Sequence, residues 1–263
     1  MGNPRKYGGP PYPLAVIHGG PGAAGEMKPV ALALAPVCGV LEPLQTESSL
    51  DGQVRELKGI LHQHALVPAV LIGFSWGAWL SFILAARHPD TVKKLILVSS
   101  GGFEPESGRR TLEKRLNRLS PSSRAEMDRL IDRLENPNPT IQQDAFRQLG
   151  ELFAGVDAYD PLPKDAEEET ITYRPDIHQA VWKAADDLRK PGELLDMGKR
   201  IRCPVIALHG DYDPHPAGDV EKPLSAVLSD FRFILLQKCG HIPWMERHAR
   251  RLFFNFLKKE ISS

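Results

Sequence analysis

The stretch Ala69-Val70-Leu71-Ile72-Gly73-Phe74-Ser75-Trp76-Gly77-Ala78-Trp79-Leu80 decides the fold. Its first four residues form a short β-type apolar run, and the residues after Gly77 continue as an uncharged helical pattern that Pro89 stops. Between them lies Gly73-Phe74-Ser75-Trp76-Gly77, a G-x-S-x-G placed after a strand and before a helix. A serine on so sharp a turn is strained, and small residues two before and two after it avoid clashes with the helix and the neighbouring strand. The turn also sets the hydroxyl at a helix N-terminus, where free N–H groups favour developing negative charge. Ser75 is therefore the candidate nucleophile. The uncharged run from Ala65 to Ala86 is long enough to span a bilayer, but Pro68, Gly73, Ser75 and Gly77 break it into strand, turn and buried helix.

Working outward, further apolar runs occur at Leu14 to Ile17, Gly39 to Leu41, Leu95 to Val98, Val205 to Leu208 and Phe231 to Leu236. Strands that are apolar throughout are buried on both faces, which predicts an α/β fold with a mostly parallel sheet covered by helices. Helices are expected over Asp51 to His64, Trp76 to Arg87 and Ala249 to Lys259. From Gly101 to Arg200 strand signals vanish. Leu112, Leu116 and Leu119 lie at helical spacing, and Ser123 with Glu126 and Thr140 with Gln143 have capping-box spacing. Residues 101–200 are thus expected to form a helical cap inserted into a core of 1–100 and 201–263. The cap carries 16 Lys plus Arg against 20 Asp plus Glu, a net acidity read mainly as solvated surface, Glu167-Glu168-Glu169 included.

Over the whole chain of 263 residues, 33 Lys and Arg balance 33 Asp and Glu. No global field attracts nucleic acid or anionic lipid, so neither a nucleic-acid partner nor a membrane span is expected. Three scattered cysteines, Cys38, Cys203 and Cys239, form neither a disulfide framework nor a zinc pattern and fit a reducing, cytoplasmic setting. The N-terminus shows no secretory signal.

A serine nucleophile needs a base, and the base needs an orienting acid. Among nine histidines, His241 stands out in Cys239-Gly240-His241-Ile242-Pro243-Trp244, a loop after the last strand. His62, His64, His88, His178 and His248 lie on or near helices and read as surface residues. Leu208-His209-Gly210-Asp211-Tyr212-Asp213-Pro214-His215-Pro216 follows another strand and offers two aspartates, Asp211 and Asp213, at the sheet edge where sites in such folds gather. His18-Gly19-Gly20-Pro21-Gly22 follows the first strand and supplies a glycine-rich turn suited to an oxyanion donor. Cys239 reads as a small buried hydrophobe and His215 as a loop histidine with a structural hydrogen bond.

These motifs, H-G-G-P-G, G-F-S-W-G, G-D-Y-D-P-H-P and G-H-I-P-W in that order, resemble the α/β-hydrolase superfamily, and the H-G-G-P-G with a serine-tryptophan elbow is similar to the prolyl iminopeptidase group. The resemblance implies Ser75 as nucleophile, His241 as general base and acid, and Asp213 rather than Asp211 as the orienting acid, with Asp211 shaping the turn through Asx-type bonds. It further implies that the backbone N–H groups of Gly20 and Trp76 form the oxyanion hole. After the next strand, where the family often has an aspartate, arginine and glycine-rich turn, this chain reads Leu41-Glu42-Pro43-Leu44-Gln45-Thr46. The expected activity is a serine hydrolase acting on a small ester, thioester or amide through an acyl-enzyme, with no cofactor and no metal. The alternatives are an iminopeptidase-like aminopeptidase whose cap carboxylates hold a substrate amine, and a ligand-binding protein on a hydrolase fold.

Overall fold

A computed structural model describes residues 2–21, 23–163 and 172–262. In chain order the elements are β1 (Arg5–Tyr7), β2 (Leu14–Ile17), β3 (Ala23–Ala24), α1 (Lys28–Leu34), β4 (Val40–Glu42), α2 (Leu50–His64), β5 (Ala69–Phe74), α3 (Trp76–Arg87) and β6 (Val92–Val98). There follow α4 (Ser107–Arg118), α5 (Pro121–Leu134), α6 (Pro139–Asp157), β7 (Thr172–Tyr173), α7 (Pro175–Arg189), α8 (Glu193–Asp196), β8 (Val205–Gly210), α9 (Gly218–Val227), β9 (Phe231–Leu236) and α10 (Arg250–Ile261).

Seven strands form one sheet in the order β1-β4-β2-β5-β6-β8-β9, parallel throughout except for β1, which runs antiparallel to β4. Side chains alternate between two cores, as the pleat requires. From β5, Ala69 and Leu71 enter the core built with α2, α3 and α9, while Val70, Ile72 and Phe74 enter the one built with α1 and α10. β2 and β6 divide in the same way, which is why the central strands read as unbroken apolar runs. Each Val, Leu, Ile or Phe side chain so taken out of water contributes roughly 1.5–3 kcal/mol. α3 is buried on every side from Trp76 to Ala86, which accounts for the uncharged run, and no helix among the described residues is long and apolar enough to cross a membrane.

Several expected boundaries move. The strand expected at Gly39 to Leu41 runs from Val40 to Glu42, and Gly39 just before it must be glycine because a Cβ there would run into the carbonyls of Gly9 and Pro11. The helices expected at Asp51 and Ala249 begin at Leu50 and Arg250. Neither expected capping box is used: Ser120 Oγ accepts from Ser123 N at 3.1 Å and Asn138 Oδ1 from Thr140 N at 2.9 Å. Pro121 and Pro139, whose fixed φ suits a first helical position, start α5 and α6 directly after these two caps. Among the described residues, five α-helices, a 3-10 turn and the short β7 lie between β6 and β8, and β7 pairs antiparallel with β3 in the loop after β2. Glu167, Glu168 and Glu169 lie outside the described residues.

Candidate active site

Three loops at the C-terminal edge of the sheet converge. Ser75 sits between β5 and α3 at φ 50° and ψ −113°, a conformation that strains any L-residue. Its N–H donates to Val98 O at 2.9 Å, which ties the turn to β6. A Cβ on Gly73 would run into Gly77 O, and one on Gly77 into Ile17 O, so both elbow glycines are required by close backbone approach. His241 comes from the loop after β9, where its N–H donates to Asp157 O at 2.9 Å and its ring packs tilted against Phe74. Asp213 follows β8 and is fully buried.

These residues form a continuous chain. His241 Nε2 is 3.2 Å from Ser75 Oγ, and His241 Nδ1 is 2.8 Å from Asp213 Oδ2. The other carboxylate oxygen, Oδ1, takes the His215 backbone N–H at 2.9 Å and the His215 ring Nδ1 at 2.8 Å. Burial works against the Asp213 charge, but His241, His209 and His215 around it hold the carboxyl well below the usual range. Burial likewise disfavours a charged His241, yet Asp213 outweighs it and raises the imidazole above its ordinary value. His215, pushed down to about 4 by burial, is neutral and donates from Nδ1.

Of the two aspartates, only Asp213 reaches His241 among the described contacts. Asp211 Oδ1 instead accepts from Cys239 N at 3.0 Å, joining the loop after β8 to the loop after β9; this long-range tie replaces the expected local Asx-type bond. Cys239 is buried and free, as read from the sequence. Gly20 has φ 36°, and neither its N–H nor that of Trp76 meets a protein acceptor among the described residues. Gly22 lies outside the described residues.

Above Ser75 and His241 opens a cavity of about 1310 Å³, walled by Trp79, Phe146, Leu149, Phe153, Trp182 and Met245 among others. His178 corrects the surface reading: it lines this cavity, edge-on to Phe146 and stacked on Trp182, and burial pushes it down to about 4. Two carboxyls escaped the sequence reading. Glu246 is buried and accepts the N–H groups of Gly240, Tyr159 and Asp160 at 2.8–2.9 Å, which holds the His241 loop against the end of α6. Glu26, in the cavity wall, accepts Gly19 N–H at 3.1 Å and is pushed up to about 7 by burial. Neither belongs to a short motif, since each is defined by amides distant in sequence. Asp213, His215 and His241 also bring three metal-type donors together, although their mutual hydrogen bonds already engage them.

The model of the Alpha/beta hydrolase family matches residues 16–253. The chain belongs to this family. The family is one of hydrolases. It is similar to the mouse (Mus musculus) sn-1-specific diacylglycerol lipase ABHD11, with 38% identity over 56 residues, a stretch that covers 21% of this chain and 18% of that protein's length. Among solved structures, VinJ superposes with a TM-score of 0.68 at 16% identity over 98% of this chain and 94% of that one. A proline iminopeptidase from Mycobacterium smegmatis gives 0.62, with 16% identity over 98% and 93%. At such identities the likeness to these α/β-hydrolases is one of fold.

Proposed function

We propose that the protein is a serine hydrolase that cleaves an ester, thioester or amide through an acyl-enzyme. The unbroken chain from Ser75 Oγ through His241 to Asp213 carries this reading. In it, His241 Nε2 takes the Ser75 proton as Oγ attacks the substrate carbonyl, and the resulting imidazolium gives that proton to the leaving group. Asp213 fixes the tautomer through Nδ1 and stabilises the imidazolium. The N–H groups of Gly20 and Trp76 receive the oxyanion; removing one such donor typically costs ~10²–10³ in rate. Water then enters by the same route in reverse and releases the acid. The described part of residues 101–200 acts as a cap over the cavity, and the apolar wall favours an apolar acyl or leaving group. In the aminopeptidase alternative a cap carboxylate must be available to an amine. Asp157, the acidic residue that the segment contributes to the cavity wall among the described residues, is instead bonded by Arg115 at 2.6–3.1 Å, which weighs against it.

The test is a fluorophosphonate probe, which should form a covalent adduct at Ser75 in the wild-type protein and none in Ser75→Ala. Ser75→Ala should also abolish turnover of an ester panel while leaving the melting temperature within a few degrees. Near-full activity in Ser75→Ala would contradict the reading.

A further inference from the structure

Behind the elbow lies a buried polar chain that the mechanism above does not use. His18, Gln45, Gln53 and Trp76 are all almost wholly buried. Gln45 N donates to His18 Nε2 at 3.2 Å, so that nitrogen is an acceptor. The imidazole, held neutral by burial that pushes it down to about 4, therefore carries its proton on Nδ1 and donates to Gly19 O at 2.8 Å. Across a trans peptide the C=O and N–H point to opposite sides. Fixing Gly19 O on His18 thus fixes the direction of the Gly20 N–H.

The side-chain amide of Gln45 works on two elements at once. Its Nε2 donates to His18 O at 2.9 Å, and its Oε1 accepts from the indole Nε1 of Trp76 at 2.9 Å. Gln53 Oε1 accepts from the same indole at 3.1 Å, while Gln53 Nε2 donates to Glu47 O at 3.0 Å. Gln45 belongs to Leu41-Glu42-Pro43-Leu44-Gln45-Thr46, the segment in which this chain departs from the turn often found in the family.

We propose that Gln45, seconded by Gln53, is a positioning residue that keeps the two oxyanion donors in register, one on the loop after β2 and one at the start of α3. The inference rests on the acyl-enzyme reading above. A buried amide that satisfies both partners holds them at fixed separation, whereas a side chain that cannot bridge at position 45 leaves His18 O unpaired and the Trp76 indole on Gln53 alone, so the loop after β2 and the start of α3 are no longer tied to each other. Oxyanion stabilisation depends on donors placed to within a few tenths of an ångström, so its loss appears in the transition state and not in substrate binding.

Gln45→Met, close to isosteric and unable to bridge, should lower kcat by about 10–100-fold with KM within about threefold. The rate of fluorophosphonate labelling should fall in parallel, since the phosphoryl oxygen occupies the same hole. The pH limb set by His241 should stay where it is, because no contact of His241 is touched. Trp76→Phe, which removes the indole N–H together with the ring that carries it, should lower the same two rates, and the double variant should lose less than the product of the two single losses. If Gln45→Met does not fold, Trp76→Phe and Gln53→Met carry the same readouts. Labelling at the wild-type rate in folded variants, or strictly additive losses, would overturn the proposal while leaving Ser75 as nucleophile. Failure of the wild-type protein to label would instead remove the reading on which it rests.

Discussion

At Asp213, the His241 ring nitrogen, the His215 ring nitrogen and the His215 amide converge on one buried carboxylate, and this convergence sets how the base titrates. His241 must be neutral to accept the Ser75 proton. Because Asp213 raises it against the opposing effect of burial, the rising limb of kcat/KM should fall above the ordinary imidazole value of ~6.5. The measurement is a pH–rate profile from 5 to 9 on a neutral ester; a flat profile over a pH range in which the protein stays folded would exclude a histidine base. Asp213→Asn should lower kcat on the order of 10⁴ by presenting the wrong tautomer to His241. Asp211→Ala should leave activity within about tenfold and cost ~1 kcal/mol, since it removes only an acceptor for Cys239 N. Measuring both variants for kcat and melting temperature separates the two aspartates, and the reverse pattern would move the acid to Asp211.

Among the elements, the loop after β9 shows how a site is held by groups remote from the chemistry. Glu246 takes three backbone N–H groups, from Gly240 before His241 and from Tyr159 and Asp160 after α6. Glu246→Ala would leave the buried Gly240 N–H and the two half-buried donors without their acceptor, and each one left unsatisfied costs ~1–3 kcal/mol. A melting temperature lowered by ten degrees or more, with kcat reduced in the folded fraction, is the expected outcome; an unchanged melting temperature would show that water replaces the carboxylate at no cost. The same elements show what a sequence discloses. Strands β2, β5, β6 and β8 were readable because burial on both faces forces apolar runs, β9 because its half-buried edge run is apolar apart from Arg232, and the elbow because two glycines are needed beside Ser75. β1 and α1 were not: three residues set no period, and the seven of α1 begin without a side-chain cap. α9 also escaped, since Pro223 stands inside it. Gln45, Glu26 and Glu246 were illegible for a further reason. Their partners lie across the fold, and no local spacing records a hydrogen bond to a distant amide.

On the scale of the whole molecule, burial has left three imidazoles neutral in different layers. His18 lies behind the oxyanion loop, His178 in the cavity wall and His215 beside Asp213, each pushed down to about 4. In the unfolded chain they protonate near 6.5. Between these values the unfolded state binds more protons than the native one, so stability is present above about 6.5 and is lost as the pH falls toward 4. Two groups act in the opposite sense. Glu26, pushed up to about 7, keeps its proton in the native state where the unfolded carboxyl has lost it, and His241 is raised, so both favour the native state as the pH falls. Near pH 5.5 the balance is a net uptake of about two protons on unfolding, a slope on the order of 2–3 kcal/mol per pH unit. Urea midpoints at pH 7.5, 6.5 and 5.5 measure it directly. Glu26→Gln removes one compensating proton, so relative to wild type it should gain stability above pH 7 and show a steeper fall below it. His178→Gln removes one of the three buried imidazoles and should flatten the fall by about one proton. A wild-type midpoint that does not change across this range, or a His178→Gln variant with an unaltered slope, would mean that these imidazoles reach water in the native state and that the interior around them is more open than their packing shows.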